Sequence, residues 1–142
     1  IELVHSPLVD TKEFPENVDV TLVEGAISSE EDLEKIRKIR QRTKVLVALG
    51  DCAVNSNVPA MRNRFERNDL LARAYLENAS SRQQIPVDVI PPLLPQAVPL
   101  HAVVKVDIFI PGCPPHADTI FRAVAALLDG ATKQPDIAVR FG

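Results

Sequence analysis

Val106-Asp107-Ile108-Phe109-Ile110-Pro111-Gly112-Cys113-Pro114-Pro115-His116 is the stretch whose reading decides the rest. Its apolar residues up to Ile110 predict a short strand buried on both faces. Pro111 and Gly112 end that strand, because neither suits a strand interior. A thiol follows, then Pro114 and Pro115, which fix the backbone around Cys113 and pre-set a helix start. A cysteine held rigidly at the carboxyl end of a strand is placed to ligate something. The plainer reading of the same residue is a small buried apolar side chain. A single Cys-Pro pair does not separate the two.

Working outward, the same punctuation recurs twice. Val18-Asp19-Val20-Thr21-Leu22-Val23 is rich in β-branched residues and predicts a strand that ends at Glu24-Gly25. Lys44-Val45-Leu46-Val47-Ala48-Leu49 predicts a buried strand that breaks at Gly50-Asp51-Cys52, a second thiol just past a strand end. Between them lies a helix capped by Ser28 or Ser29, with Glu30, Glu31 and Asp32 first and Arg37, Lys38, Arg40 and Arg42 late, as the helix dipole favours. Leu33, Ile36 and Ile39, with Ile27 before the cap, form its narrow apolar stripe.

Ile1-Glu2-Leu3-Val4 predicts a further strand, ended at Ser6-Pro7, and residues 10–17 a polar connection. Asn55-Ser56-Asn57 predicts a loop, Pro59 opens a short helical stretch to Arg64, and Asn68 caps a helix over residues 69–77. Arg62, Arg64, Arg67 and Arg73 are expected on a solvated face. Over residues 80–101 the prolines at 86, 91, 92, 95 and 99 predict an extended apolar loop packed on this domain or on a partner, because no helix or central strand tolerates that spacing. A helix over residues 116–128 carries Ile120, Phe121, Val124, Leu127 and Leu128 as its stripe, with Gly130 at its end.

The 142 residues suit a single domain, and 46% hydrophobic with 25% charged residues is ordinary globular composition. A net charge of -3 argues against a nucleic-acid footprint. No apolar run approaches a membrane span. Two cysteines far apart do not make a secreted disulfide framework, so a reducing compartment is expected. No phosphate-binding glycine loop and no serine nucleophile elbow is present.

Strands alternating with helices imply a mostly parallel sheet covered on both faces, and such sheets carry their sites at the carboxyl ends of the strands. Glu24-Gly25, Cys52 and Cys113 all fall there, so they are expected on one edge. Two thiolates are soft ligands that suit an iron–sulfur cluster, zinc or copper(I). A cluster normally takes four, so a partner pair must come from upstream of Ile1 or from another chain. His5 and His101 are expected in packing or solvent roles, and His116 at a helix start.

Val23-Glu24-Gly25-Ala26-Ile27, then Ala48-Leu49-Gly50-Asp51-Cys52-Ala53, then Asp107-Ile108-Phe109-Ile110-Pro111-Gly112-Cys113-Pro114-Pro115, in that order, resemble the small subunit of nickel–iron hydrogenases. They also resemble the homologous iron–sulfur subunit of respiratory complex I. Ser6-Pro7-Leu8-Val9-Asp10 and Asn55-Ser56-Asn57-Val58-Pro59 look more narrowly like the cytoplasmic NAD-reducing members. The resemblance implies a flavodoxin-like three-layer α/β sandwich across residues 1–142, its first strand and loop upstream of Ile1. It implies a 4Fe-4S cluster with Cys52 and Cys113 as two ligands, surrounded by Gly50, Gly112 and Pro114. The other two ligands come from a Cys-x-x-Cys loop that this sequence lacks. Glu24 is implied at an interface or proton path. The implied partners are a large subunit with the nickel–iron site and diaphorase subunits with FMN, iron–sulfur clusters and NAD. The chain itself would do no bond-making chemistry. A complex-I-type electron-transfer subunit is the rival reading, although that family carries adjacent cysteines absent here. A flavin-binding or structural flavodoxin-like module is the other.

Overall fold

The computed structural model describes residues 1–9 and 11–130. Asp10, at the start of the expected connection, and residues 131–142 of the expected domain lie outside them. Three parallel strands form the main sheet: β1 (Val18–Glu24), β3 (Thr43–Leu49) and β5 (Ile108–Ile110), with β3 in the middle. A short antiparallel ribbon pairs β2 (Ile27–Ser29) with β4 (Leu93–Val98). The helices are α1 (Glu30–Arg42), α2 (Asp51–Asn55), α3 (Arg67–Ala72) and α4 (Ala117–Leu128).

The alternation of β3 divides the core into two layers. Leu46 and Ala48 point to one face and pack with Ile27, Ile36 of α1, Ala53 of α2 and Leu100. Val47 points to the other and packs with Ile108, Ile110, and Ala123 and Leu127 of α4. A strand buried on both faces needs the continuous apolar run that the sequence shows here. Each buried Leu or Ile contributes roughly 1.5–3 kcal/mol through area removed from water. The three-layer α/β arrangement expected from the sequence is the one found.

Helix α1 starts where its caps say. Ser29 Oγ accepts from Asp32 N at 3.2 Å, and Asp32 Oδ2 accepts from the N–H groups of Ser29 and Ser28 at 2.9 and 3.0 Å. Its other end is tied to the amino ends of the sheet. Arg40 Nη1 donates to Asp107 Oδ2 at 2.6 Å, and its guanidinium also reaches the carbonyls of Thr43, Lys44 and Lys105. Asp107 exchanges backbone and side-chain bonds with Leu46, at 2.9 Å each, and so extends the β3–β5 ladder by one residue.

Several expectations need correction. Residues 1–4 form no strand; among the described residues they share no backbone hydrogen bonds with a neighbouring strand, and Ile1 and Leu3 are exposed. The expected loop over residues 80–101 contains strand β4, with Pro95 inside it, and a 3-10 turn at Leu100–Ala102. Proline is tolerated because, among the described residues, β4 has a strand on one side only. Its other side is satisfied by side chains. Asn63 accepts from Ala97 N and donates to Ala97 O, both at 2.8 Å, as a neighbouring strand would. Arg62 donates to the carbonyls of Ser28, Leu94 and Pro95, and Arg67 to that of Leu93. Arg62 and Arg67 are therefore structural donors and not part of a solvated face. Helix α3 begins at Arg67 after Glu66, without an Asn68 cap, and widens into a π turn over Arg73–Glu77. In α4 the buried positions are Thr119, Ala123 and Leu127, while Phe121 and Leu128 are 73% and 54% exposed.

Candidate functional site

The register of the sheet sets three strand ends side by side. Glu24 of β1 is level with Leu49 of β3, and Leu49 with Ile110 of β5. Each is followed by one of the segments singled out in the sequence: Glu24 itself with Gly25, Gly50 to Cys52, and Gly112 to Pro114. Parallel strands with aligned carboxyl ends bring these segments to one edge although 61 residues separate Asp51 from Gly112.

The two cysteine loops are joined. Gly50 N donates to Ile110 O at 2.7 Å and so carries the β3–β5 ladder one step past the strands. Asp51 N then donates to Gly112 O at 2.9 Å, and Asp51 Oδ1 accepts from Gly112 N at 2.7 Å. These bonds fall on the residues immediately before Cys52 and Cys113. Cys52 is half-buried in the first turn of α2, a helical turn where the sequence predicts a plain break. Cys113 is exposed and precedes a cis peptide to Pro114. Neither is in a disulfide.

Close approach explains the glycine at 112. A Cβ there would lie 2.6 Å from Pro115 Cα and 3.1 Å from Pro114 O, and its φ of +133° suits glycine. Gly50 packs with Gly112 O 3.5 Å from where its Cβ would be. The two loops thus meet backbone to backbone, leaving the thiols as the functional groups that follow them.

Two thiols are soft donors suited to an iron–sulfur cluster, zinc or copper(I). As a donor set they fit half of a four-thiolate cluster site. Among the described residues no group of three His, Cys, Asp or Glu converges on a metal position. Glu24 stands exposed at the end of β1, and its side chain makes no hydrogen bond or ion pair among the described residues. His5 and His101 have packing roles, as expected, and His116 stands at the expected helix start. His5 meets Phe14 edge-on at 5.3 Å, His101 meets Phe109 at 5.8 Å, and His116 caps α4 by accepting from Asp118 N at 3.3 Å. Sequence reasoning missed Asp51. Its one signal was an acceptor side chain wedged between a strand-ending glycine and a cysteine, which reads equally well as a turn residue.

Comparison with known proteins gives a consistent pattern. Residues 1–127 match the family described as NADH ubiquinone oxidoreductase, 20 Kd subunit. The chain is 42% identical over 135 residues to the NAD-reducing hydrogenase HoxS subunit delta of Cupriavidus necator, covering 92% of this chain and 65% of that protein. It is 39% identical over 132 residues to one of the subunits of the F420-non-reducing hydrogenase vhu of Methanocaldococcus jannaschii, covering 92% of this chain and 46% of that one. A chain in the crystal structure of an NAD+-reducing NiFe hydrogenase in its H2-reduced state superposes with a TM-score of 0.88 at 35% identity, covering 96% of this chain and 79% of the other. The chain thus spans between about half and two thirds of the length of the two hydrogenase relatives from Cupriavidus and Methanocaldococcus. Among the described residues no helix is long and apolar enough to cross a membrane.

Proposed function

The chain belongs to the NADH ubiquinone oxidoreductase 20 Kd subunit family, and from that premise we propose that it is the electron-transfer small subunit of an NAD-reducing nickel–iron hydrogenase of the cytoplasm. Cys52 and Cys113 serve as two ligands of a 4Fe-4S cluster whose remaining ligands lie outside this sequence. Such a cluster, when bound, takes up and gives out single electrons. Its partners are a large subunit that holds the nickel–iron site and diaphorase subunits that hold FMN and NAD. The observation that supports this reading is the joining of the two cysteine loops at aligned carboxyl ends of neighbouring parallel strands.

The chain's own residues have defined work in this reading. The β3 and β5 strands hold the two thiols on one edge. Gly50 and Gly112 remove side chains from between the loops, and Pro114 restricts the backbone after Cys113. Cys52 is half-buried, and burial is one of the properties by which a protein tunes a cluster. In this reading Glu24, exposed at the same edge, meets the large subunit or passes a proton there.

Cys113→Ser in the purified complex tests the reading. The expected outcome is loss of hydrogen-dependent NAD reduction together with lower iron content, in a complex that still assembles. Near-normal turnover in that variant would overturn the relay role.

A further inference from the structure

Asp51 is no ligand in the role just described, yet its bonds to Gly112 hold the two cysteine loops together. It engages both backbone groups of Gly112, its N–H donating to the carbonyl at 2.9 Å and its Oδ1 accepting from the N–H at 2.7 Å. Gly112 is buried, so its N–H has no water to turn to if that acceptor is removed, and a buried donor left unpaired is costly. The next residue on each side of this ring is a cysteine. The spacing of the two thiols therefore passes through Asp51.

Resting on the cluster reading above, the geometry points to Asp51 as a positioning residue that sets the separation of the Cys52 and Cys113 loops and lowers the reduction potential of the group they hold. The charge follows from the chemistry of the bridge. A carboxylate one residue from a ligand sulfur disfavours the arrival of an electron. The same carboxylate also occupies the Gly112 N–H, so that this donor does not bond to sulfur, and hydrogen bonds to sulfur are among the factors that set cluster potentials. Both effects act in one direction.

The test uses the purified hydrogenase complex with Asp51→Asn and Asp51→Ala. The relevant cluster signal is the electron paramagnetic resonance signal that Cys113→Ser removes. Asp51→Asn keeps an Oδ1 acceptor of the same size and loses only the charge. It is expected to keep wild-type iron content while the midpoint of that signal moves to higher potential. Asp51→Ala is expected to lose iron and to exchange the Gly112 amide about tenfold faster or more, as a lost buried hydrogen bond requires. An unchanged midpoint in Asp51→Asn overturns the effect on the potential, and unchanged exchange in Asp51→Ala overturns the positioning role, since a residue that only fills space would move neither. If Asp51→Ala does not assemble, Asp51→Asn decides alone. A complex in which Cys113→Ser removes no signal overturns the cluster reading itself, and the role of Asp51 with it.

Discussion

Gly112 and Gly25 separate two costs that a glycine substitution can carry. Both have positive φ, +133° and +92°, but a Cβ at 112 meets Pro115 backbone at 2.6 Å while one at 25 meets nothing within 4 Å. Gly112→Ala is expected to lower unfolding stability by about 2–4 kcal/mol, and Gly25→Ala by about 1 kcal/mol, in urea titrations. Asp107 allows a pH prediction. Burial works against its ionisation, but the Leu46 N–H and the Arg40 guanidinium outweigh burial and hold its carboxyl below the ordinary range. Asp32 is depressed in the same way, burial being outweighed by the donors of Ser28 and Ser29. A depressed folded value means that these carboxylates stabilise the fold fully above the unfolded value of about 3.9, and lose that contribution as pH falls through the lower folded value. The urea midpoint should therefore drop steeply below about pH 4. Asp107→Asn should be less stable at pH 7 and show a shallower acid limb. The bonds of Asp107 were not legible in the sequence, where it is one polar residue inside an apolar run.

Strand β4 is the element that sequence reasoning lost. Its prolines exclude a helix or a central strand, which makes an extended loop the expected reading. It failed because Asn63, Arg62 and Arg67 take the place of a second neighbour, and a side chain that satisfies a strand edge leaves no periodic mark. Asn63→Ala is expected to cost about 1–3 kcal/mol and to speed amide exchange at Ala97, whose N–H would lose its acceptor. Helix α1 shows the opposite case. Its cap, its charge order and its apolar stripe all lie within a few residues of one another, so the sequence places its start within one residue of Glu30. Ser29→Ala should cost about 1 kcal/mol in the same titrations.

The sheet as a whole explains which apolar residues are core. Helix α4 looked uniformly apolar along one stripe, yet its buried positions are Thr119, Ala123 and Leu127, of which Ala123 and Leu127 pack with Val47, Ile108 and Ile110. Leu127→Ala is expected to cost about 2–5 kcal/mol, whereas Phe121→Ser should leave stability within about 0.5 kcal/mol of wild type. Equal losses for the two would mean that α4 packs in another orientation. At the same level, the row of Glu24, Leu49 and Ile110 gathers three segments into one edge. In the assembled complex that edge should show slower amide exchange than in the separated chain if it faces the large subunit. Equal exchange in both states would place the interface elsewhere.

Strands β1, β3 and β5, helices α1 and α4, and the position of both cysteines just past strand ends were readable from residue order alone. The forces behind them act over a few residues: apolar runs that must be buried, capping side chains, and Pro or Gly that end an element. The tertiary structure alone decided that β4 is a strand, that Phe121 is outside, that Arg62 and Arg67 serve carbonyls, and that Asp51 bridges to Gly112. Each of these rests on a hydrogen-bond partner or packing surface supplied by chain far away in sequence, 32 to 34 residues for Arg62 and 61 for Asp51. A donor's need for an acceptor is written in the chain, but the acceptor it finds is settled only when the sheet register brings the two together.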